Sequence, residues 1–199
     1  MDIRIREHAG PALFEAIFVM LGVVLALVAN EWRESRQHRN EASAANHAIT
    51  AELSANRAAL SSAFKYHSGL LDTLRAQRQT GRPTNPGTFS RGFVAPAQLS
   101  STTWQVAAET GVLSHMPYPA VLSLSRAYAQ QQRYEQQAQS VGQLIYSEIY
   151  RGGPAAIASN TEGLVSLIGA FAYRERQMLA LFDSTLTTAE PSPNGSATR

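Results

Sequence analysis

Residues 16–30 read AIFVMLGVVLALVAN and contain no ionisable side chain. This stretch decides the fold, because a helix that is apolar on every face needs either a lipid bilayer or an enclosing protein core. Counted from Ala12 to Ala29, the apolar segment has 18 residues, and as a helix it is about 27 Å long, close to the roughly 30 Å of a bilayer's hydrocarbon core. The segment therefore predicts a membrane-spanning helix near the N-terminus.

Residues suited to the membrane–water interface flank the apolar segment at both ends. Glu15 is the one ionisable residue of the segment, and it must lie at shallow depth or be protonated. Trp32 follows the segment, and Arg33 and Arg36 come next, at the depth of the lipid headgroups. We therefore predict a transmembrane anchor over residues 11–31, with Glu15, Trp32, Arg33 and Arg36 at its interfaces.

Two other interpretations of the segment stay open. A cleaved signal peptide would use Arg4 and Arg6 as its basic start, with a small residue such as Ala26 or Ala29 at the cleavage site. A buried core helix is typical of apolar runs of about 10 to 14 residues. The anchor is favoured, because the helical pattern continues past Trp32 without a turn residue and nothing downstream is hydrophobic enough to enclose the run.

The arginines on either side of the anchor bear on its orientation. Arg4 and Arg6 precede it, while Arg33, Arg36 and Arg39 follow it, so the excess of positive charge that marks the cytoplasmic side is nearly balanced. A short N-terminal tail stays in the cytoplasm more readily than the long remainder of the chain. We therefore predict that the domain after the anchor lies outside the cytoplasm.

The overall composition excludes several classes of function. The chain of 199 residues has a formal net charge of +2, which is far too small for the basic footprint of a nucleic-acid-binding protein. It contains no cysteine, which rules out disulfides, thiolate zinc sites and cysteine nucleophiles. Charged residues make up 16% of the chain, against about 25% in typical soluble domains, and the anchor accounts for part of this deficit.

The anchor helix is predicted to continue outward as far as about Gln79, since residues 30–68 contain neither glycine nor proline. Apolar residues recur there at steps of three and four or their sums: Ile49, Leu53, Leu60, Ala63, Leu70 and Leu74. Asn46, Asn56 and His67 occupy intervening positions of the same stripe. An apolar stripe with a few polar members is typical of a helix in a bundle or of a coiled-coil dimer, and both alternatives stay open.

The remainder of the chain is predicted to be helical and to complete an antiparallel bundle over residues 32–187. Glycines and prolines without helical periodicity mark a loop over 80–99. Three further helices follow: a short one ending at Gly111, a long one over 120–150 that ends at Gly152-Gly153-Pro154, and a last one from about Thr161. A short tail precedes the anchor at 1–10, and a disordered tail follows at 188–199. Because no segment shows sustained strand alternation, the predicted fold class is all-α.

The residues that could carry chemistry do not form a recognised catalytic or metal-binding motif. Ser62-Ala63-Phe64-Lys65 matches the S-x-x-K motif of some acyl-transfer enzymes, but it lies within a predicted helix and the companion motifs S-D-N and K-T-G are absent. The histidines never fall three or four residues apart, as ligands on one helix face would. We therefore predict no catalytic residue, no metal and no cofactor, and hence a protein that is not an enzyme.

Three groups of residues carry a resemblance to a known family. They are Gly22 to Leu27 with Asn30-Glu31-Trp32, then Ile49-x-x-Glu52-Leu53-x-x-Asn56 with Tyr66-His67 and Leu70-Leu71, and finally Trp104 with Gly111-Val112-Leu113 and Tyr128. In these residues the chain resembles a bacterial family of short proteins with an N-terminal membrane anchor and a helical domain of unknown function. The resemblance implies a location in the bacterial cytoplasmic (inner) membrane. With the orientation predicted above, the helical domain would lie on the outer, periplasmic side.

Two classes of function remain open for the helical domain. The first is a non-catalytic module that oligomerises or scaffolds membrane partners; Gly22 and Ala26 are spaced so that two membrane helices could approach closely. The second is a ligand-sensing bundle in which His67, Trp104 and Tyr128 contact a small molecule, although packing is the first interpretation of these residues. An enzyme acting on the cell envelope has the least support. The expected partners are the lipid bilayer and a second copy of the chain or another membrane protein, with no nucleic acid.

Overall fold

The structure is a computed structural model that describes residues 9–81, 84 and 86–189, and no strand occurs among those residues. Its helices there are α1 (Ala9–Gln79), α2 (Thr102–Glu109), α3 (Tyr118–Ala158) and α4 (Thr161–Ala189), with 3-10 turns at Pro86–Thr88 and Val112–His115. The predicted all-α class is thereby confirmed. Of the two predicted tails, residues 1–8 and 190–199 lie outside the described part of the chain, and the residues at 188 and 189 belong to α4.

Helix α1 is unbroken over 71 residues, a length of about 107 Å at the helical rise of 1.5 Å per residue. The absence of glycine and proline from residues 30–68 favours this continuity. The prediction of one helix that runs from the apolar segment into the bundle, as far as Gln79, is confirmed.

The N-terminal part of α1 leaves its apolar side chains uncovered. In the described part of the chain, α1 is the one helix long and apolar enough to cross a membrane, and 0% of its most apolar window is buried within the fold. Phe18, Met20 and Leu27 are 70%, 69% and 64% exposed. This exposure excludes a buried core helix as the interpretation of the segment, whereas the signal-peptide interpretation stays open.

The remainder of α1 packs in an antiparallel bundle with α4. Asn46 donates a hydrogen bond to the carbonyl of Ala189, at the end of α4, and His67 contacts Glu175, earlier in that helix. Helix α4 therefore runs antiparallel to α1, back toward the apolar N-terminal part of α1, as the predicted bundle requires.

The chain also returns toward the apolar N-terminal part of α1 in the segment between α1 and α3. Residues 92–101, which we call the strap, have no regular secondary structure and include a bend at Phe93. The carbonyl of Gly92 accepts a hydrogen bond from Tyr66, and the amide of Ser100 donates one to Asn56, so the strap follows α1 in the reverse direction. Helix α2 continues this course and the chain reaches His38 at His115, just before α3. Helix α3 then runs parallel to α1, since Tyr128 contacts Glu52 and Gln131 contacts Asn56.

The core lies between the predicted stripe of α1 and the inner face of α4. All six apolar members of the stripe are buried: Ile49, Leu53, Leu60, Ala63, Leu70 and Leu74. The buried face of α4 includes Leu164, Ile168, Phe171, Met178 and Phe182, and Leu186 packs against the core partly buried. Because one chain covers the stripe by itself, the structure supports a bundle and leaves this stripe unavailable as a coiled-coil dimer seam.

Helix α3 is interrupted at Gly153, where φ is 71° and ψ is 178°. Residues with a side chain avoid this region of backbone conformation, and glycine adopts it readily. The predicted helix end at Gly152-Gly153-Pro154 is therefore confirmed as a break. The chain nevertheless resumes a helical course to Ala158, since a proline is well suited to the first turn of a new helical segment.

Candidate functional site

The structure places the three predicted site residues in two separate clusters. Trp104 of α2 stacks on Tyr128 of α3, with ring centroids 5.2 Å apart and an angle of 10° between the ring planes. Tyr128 bonds to Glu52 of α1, whereas His67 lies about 22 Å further along α1 at the helical rise. Trp104 and Tyr128 are therefore brought together, and His67 is not brought to them.

Glu52 organises the first cluster with both of its carboxylate oxygens. Oε1 accepts the hydroxyl of Tyr128 at 2.8 Å, and Oε2 accepts the hydroxyl of Ser100 at 2.7 Å and the amide of Thr103 at 3.0 Å. Thr103 lies in the first turn of α2, where amides lack helical partners and negative charge is stabilised by the helix dipole. Glu52 thus caps α2 from a neighbouring helix, while Ser101, at the N-cap position itself, makes no side-chain cap.

These hydrogen bonds fix the protonation states of Glu52 and Tyr128. Partial burial alone would raise the pKa of Glu52, but the hydrogen bonds from Thr103, Ser100 and Tyr128 outweigh it and hold that pKa below its usual value. Burial, followed by the hydrogen bond to Glu52 and its negative charge, raises the pKa of the Tyr128 hydroxyl far above its usual range. Near neutral pH a carboxylate therefore faces a protonated phenol.

A cleft of about 410 Å³ lies beside the stacked rings and is lined in part by Trp104, Tyr128, Gln105, Gln132 and Glu135. Its described lining contains amides, hydroxyls and one carboxylate, with no lysine or arginine. Such a lining suits a neutral or cationic small molecule with hydrogen-bonding groups rather than an anion.

The second cluster is buried in the middle of the bundle and joins α1, α3 and α4. Nδ1 of His67 lies 2.9 Å from both carboxylate oxygens of Glu175, and both side chains are 0% exposed. Oε1 of Glu175 also accepts the hydroxyl of Tyr134 at 2.8 Å. Phe171 packs against His67, with ring centroids 5.6 Å apart, so the polar cluster has an apolar wall.

The remaining polar atoms of this cluster face the strap. Nε2 of His67 accepts the amide of Ala95 at 3.3 Å, and the hydroxyl oxygen of Tyr134 accepts the amide of Ala97 at 2.9 Å. Burial and then the negative charge of Glu175 raise the pKa of Tyr134 far above its usual value, a shift that the Ala97 amide opposes only in part. Tyr134 therefore keeps its proton, which it donates to Glu175 while it accepts from the strap.

Asn56 and Gln131 fasten the end of the strap between the two clusters. The side-chain amide of Asn56 binds Ser100, and the amide nitrogen of Gln131 donates to the carbonyl of Ser100 at 3.0 Å and to Glu135 at 3.1 Å. Asn56 also donates to Gln131 at 3.1 Å. The side chains of Asn56 and Gln131 therefore bind the backbone of the strap at Ser100, where no strand lies beside it.

Sequence reasoning named His67, Trp104 and Tyr128 and missed Glu52, Glu175 and Tyr134 as site residues. Tyr134 lies in α3 three residues after Gln131, and Glu175 stands on a buried face of α4 that is mostly apolar. An acidic residue on such a face was the available signal, since a buried carboxylate requires hydrogen-bond donors from its neighbours.

The predicted membrane-interface residues are exposed on α1. The guanidinium of Arg36 lies over the ring of Trp32, 5.4 Å from its centroid, and Arg33 donates to the side chain of Asn30 at 3.3 Å. Glu15 lies on the exposed helix more than four turns before Trp32. These positions suit a helix whose segment between Glu15 and Trp32 crosses a bilayer.

Two histidines near the start of the bundle stack on each other, a contact that the sequence does not predict. The rings of His38 on α1 and His115 before α3 stack with centroids 4.0 Å apart, and Glu34 and Glu41 lie 3.5 and 3.7 Å from His38. The described part of the chain nevertheless contains no group of three or more His, Cys, Asp or Glu side chains arranged to hold a metal ion.

The acyl-transfer motif considered above does not gain a site from the fold. Ser62 and Lys65 are both exposed within α1.

Comparison of the chain with protein-family models, with curated proteins and with solved structures found no match.

Proposed function

We propose that this protein is a single-pass protein of the bacterial cytoplasmic membrane whose periplasmic helical bundle is a non-catalytic oligomerisation or scaffolding module. The observation that carries the proposal is the exposed apolar part of α1. Its side chains find no cover within the fold, and the helix continues unbroken into the bundle. A bilayer and neighbouring membrane helices are the environments that such a surface requires.

The anchor is the favoured surface for association between chains. The stripe from Ile49 to Leu74 is covered by α4 of the same chain, so it offers no contact to a partner. Gly22 and Ala26 lie one turn apart on the exposed helix, and a Cβ added at Gly22 would meet nothing within 4 Å. Two small residues in this spacing allow the backbones of two membrane helices to pack closely.

The contacts of Glu52, which is partly buried, and of the buried Glu175 support a non-catalytic role. Glu52 caps α2, Glu175 binds His67 and Tyr134, and those two side chains hold the strap. A catalytic acid, base or nucleophile must instead reach a substrate in an open cleft.

The absence of cysteine allows an unambiguous association test. Single cysteines introduced at successive positions from 21 to 28, in the full-length chain in native membranes, are expected to form disulfide-linked dimers with a helical periodicity that peaks on the face of Gly22 and Ala26. Gly22→Leu should reduce this cross-linking about tenfold, because the larger side chain separates the helices.

Val24→Leu, on the opposite face of the helix, is the matched control and should leave cross-linking unchanged. Monomers at every position, with no partner that co-purifies, would refute the scaffolding proposal while leaving the anchor intact.

The orientation of the anchor has its own test. Paired reporters, an alkaline phosphatase and a fluorescent protein that folds in the cytoplasm, are fused in turn after Leu186. The proposal expects phosphatase activity without fluorescence. Fluorescence without phosphatase activity would place the bundle in the cytoplasm. Loss of residues 1–29 from the mature chain would show that the segment is a signal peptide.

A ligand-sensing bundle is the second candidate function, and the cleft beside Trp104 and Tyr128 favours it. Fluorescence of Trp104 in a Trp32→Phe variant should change when a neutral or cationic metabolite fills the cleft, and Gln132→Ala should weaken that response. Unchanged fluorescence and thermal stability across a broad metabolite panel would reject this candidate. The resemblance to the bacterial family of anchored proteins stays a prediction.

A further inference from the structure

Two side chains hold the centre of the strap, His67 at Ala95 and Tyr134 at Ala97, and of the two it is the imidazole whose bond depends on an unprotonated nitrogen. Nε2 of His67 accepts the amide of Ala95 at 3.3 Å, while Nδ1 lies 2.9 Å from both oxygens of Glu175. Because a backbone amide can only donate, Nε2 carries no proton in this arrangement. The proton of the neutral imidazole therefore resides on Nδ1 and is donated to Glu175.

We propose that His67 is a pH-sensitive latch for the strap, which holds Ala95 as a neutral imidazole and releases it when Nε2 takes up a proton. The inference rests on the hydrogen-bond geometry of the bundle and is independent of whether the chain forms oligomers.

The ionisable groups around His67 come from three helices. Glu175 of α4 binds Nδ1, Tyr134 of α3 binds the same carboxylate, and the ring of Tyr66, the neighbour of His67 in α1, lies 5.4 Å from the imidazole. The guanidinium of Arg91, just before the strap, lies over the ring of Tyr66. Residues 92–101 contain no ionisable side chain, so the strap itself offers no group that could accept a proton in place of His67.

Protonation changes only one side of the imidazole. The bond from Nδ1 to Glu175 remains and becomes an ion pair, whereas the new proton on Nε2 points at the amide proton of Ala95. Two donors then face each other at a site where His67 is 0% exposed, so neither finds a water molecule without movement of the chain. The strap can move at Ala95 because it has no regular secondary structure, whereas His67 is fixed within α1.

The release is expected to be confined to the part of the strap nearest His67. At Ser100 the partners are Asn56 and Gln131, neither of which titrates. That end of the strap therefore stays attached near neutral and mildly acidic pH. Val94, next to Ala95, packs partly buried against the core and would become exposed with it.

Hydrogen–deuterium exchange of the full-length chain in lipid nanodiscs tests the latch. We expect the amide of Ala95, followed at single-residue resolution, to exchange at least tenfold faster at pH 5 than at pH 8, after correction for the intrinsic pH dependence of exchange. The amide of Ala97, which is bound to Tyr134, serves as the internal reference. Peptides of α4 that include Ile168 should keep their protection.

Two glutamine variants separate the latch from a merely structural role. His67→Gln can still accept from Ala95 and donate to Glu175 but does not titrate, so the strap should stay protected at both pH values. His47→Gln, which replaces an exposed histidine of α1, should retain the pH dependence of the wild-type chain. Equal protection of the wild-type strap at pH 5 and pH 8, or an unchanged pH dependence in His67→Gln, would overturn the proposal.

A direct measurement remains decisive if His67→Gln fails to fold. Nitrogen-15 NMR of the wild-type chain at pH 8 should show Nδ1 of His67 protonated and Nε2 unprotonated. A protonated Nε2 in the folded chain at that pH contradicts the latch.

Discussion

Asn56 and Ser100 are paired in both directions. Oδ1 of Asn56 accepts the amide of Ser100 at 2.9 Å, and Nδ2 donates to the carbonyl of the same residue at 2.6 Å. The side chain of Asn56 thereby gives the backbone of Ser100 both a donor and an acceptor, as a neighbouring β-strand would. Since buried backbone groups must find partners, this pairing explains a buried asparagine in an otherwise apolar stripe.

Replacement of Asn56 by alanine should destabilise the bundle by about 3 kcal/mol, because it leaves the backbone amide of Ser100 and the carbonyl oxygen of the Gln131 side chain without a partner. The Ser100 carbonyl keeps its bond from Gln131. Urea unfolding of the full chain in detergent, followed by circular dichroism, measures the change. Asn40→Ala, at an exposed position of α1, is the control and should alter stability by less than about 0.5 kcal/mol. Equal losses in the two variants would show that the strap contributes nothing to stability.

The charge of Glu52 should make stability depend on pH in the acidic range. Its pKa is lowered from the usual 4.5 in the folded chain, so its contribution is fully present above that value and is lost as the pH falls through the lower folded-state pKa. Glu52→Gln should remove this part of the acid dependence, as measured by thermal unfolding between about pH 3 and pH 7. An unchanged acid dependence in the variant would mean that other carboxylates account for it.

Tyr128→Phe should retain the stack with Trp104 but lose the hydrogen bond to Glu52. A bond to a charged acceptor contributes about 1.5–3 kcal/mol, so we expect a loss of about 2 kcal/mol in urea unfolding. The near-ultraviolet circular dichroism of the stacked rings should be preserved. Tyr146→Phe provides the matched control, since Tyr146 is 76% exposed and its hydroxyl should contribute nothing measurable.

Two glycines of α3 should respond to alanine with opposite signs. Gly153 has a φ of 71° and a ψ of 178°, a conformation that costs a residue with a side chain about 1–3 kcal/mol, so Gly153→Ala should be destabilising. At Gly142, within the helix, an added Cβ would meet nothing within 4 Å, so Gly142→Ala should stabilise the protein by up to about 1 kcal/mol. Destabilisation of the same size in both variants would contradict the break at Gly153.

The long helix and its buried stripe were predictable, because both depend on local patterns. The lack of glycine and proline favours continuity in α1, and the steps of three and four from Ile49 to Leu74 place those side chains on one face. The choice between a bundle and a dimer was not predictable, since it depends on whether α4 or a second chain covers that face.

The candidate site was harder to predict because its residues come from distant parts of the sequence. Asn56 and His67 stood out as polar members of an apolar stripe, yet their partners, Ser100 and Ala95, are contacted through backbone atoms that no sequence pattern marks. Glu52 caps a helix to which it does not belong, and capping patterns detect only neighbours within a few residues.

The unbroken course of α1 also has a mechanical consequence. The helix extends about 70 Å from Trp32 to Gln79 at the helical rise, so with the apolar segment in a bilayer it works as a lever whose pivot lies in the membrane. A change of about 10° in the tilt of the anchor, well within the range observed for membrane helices, would sweep the far end of the bundle sideways by about 12 Å. Small changes in bilayer thickness would thereby be converted into displacements as large as the diameter of a helix.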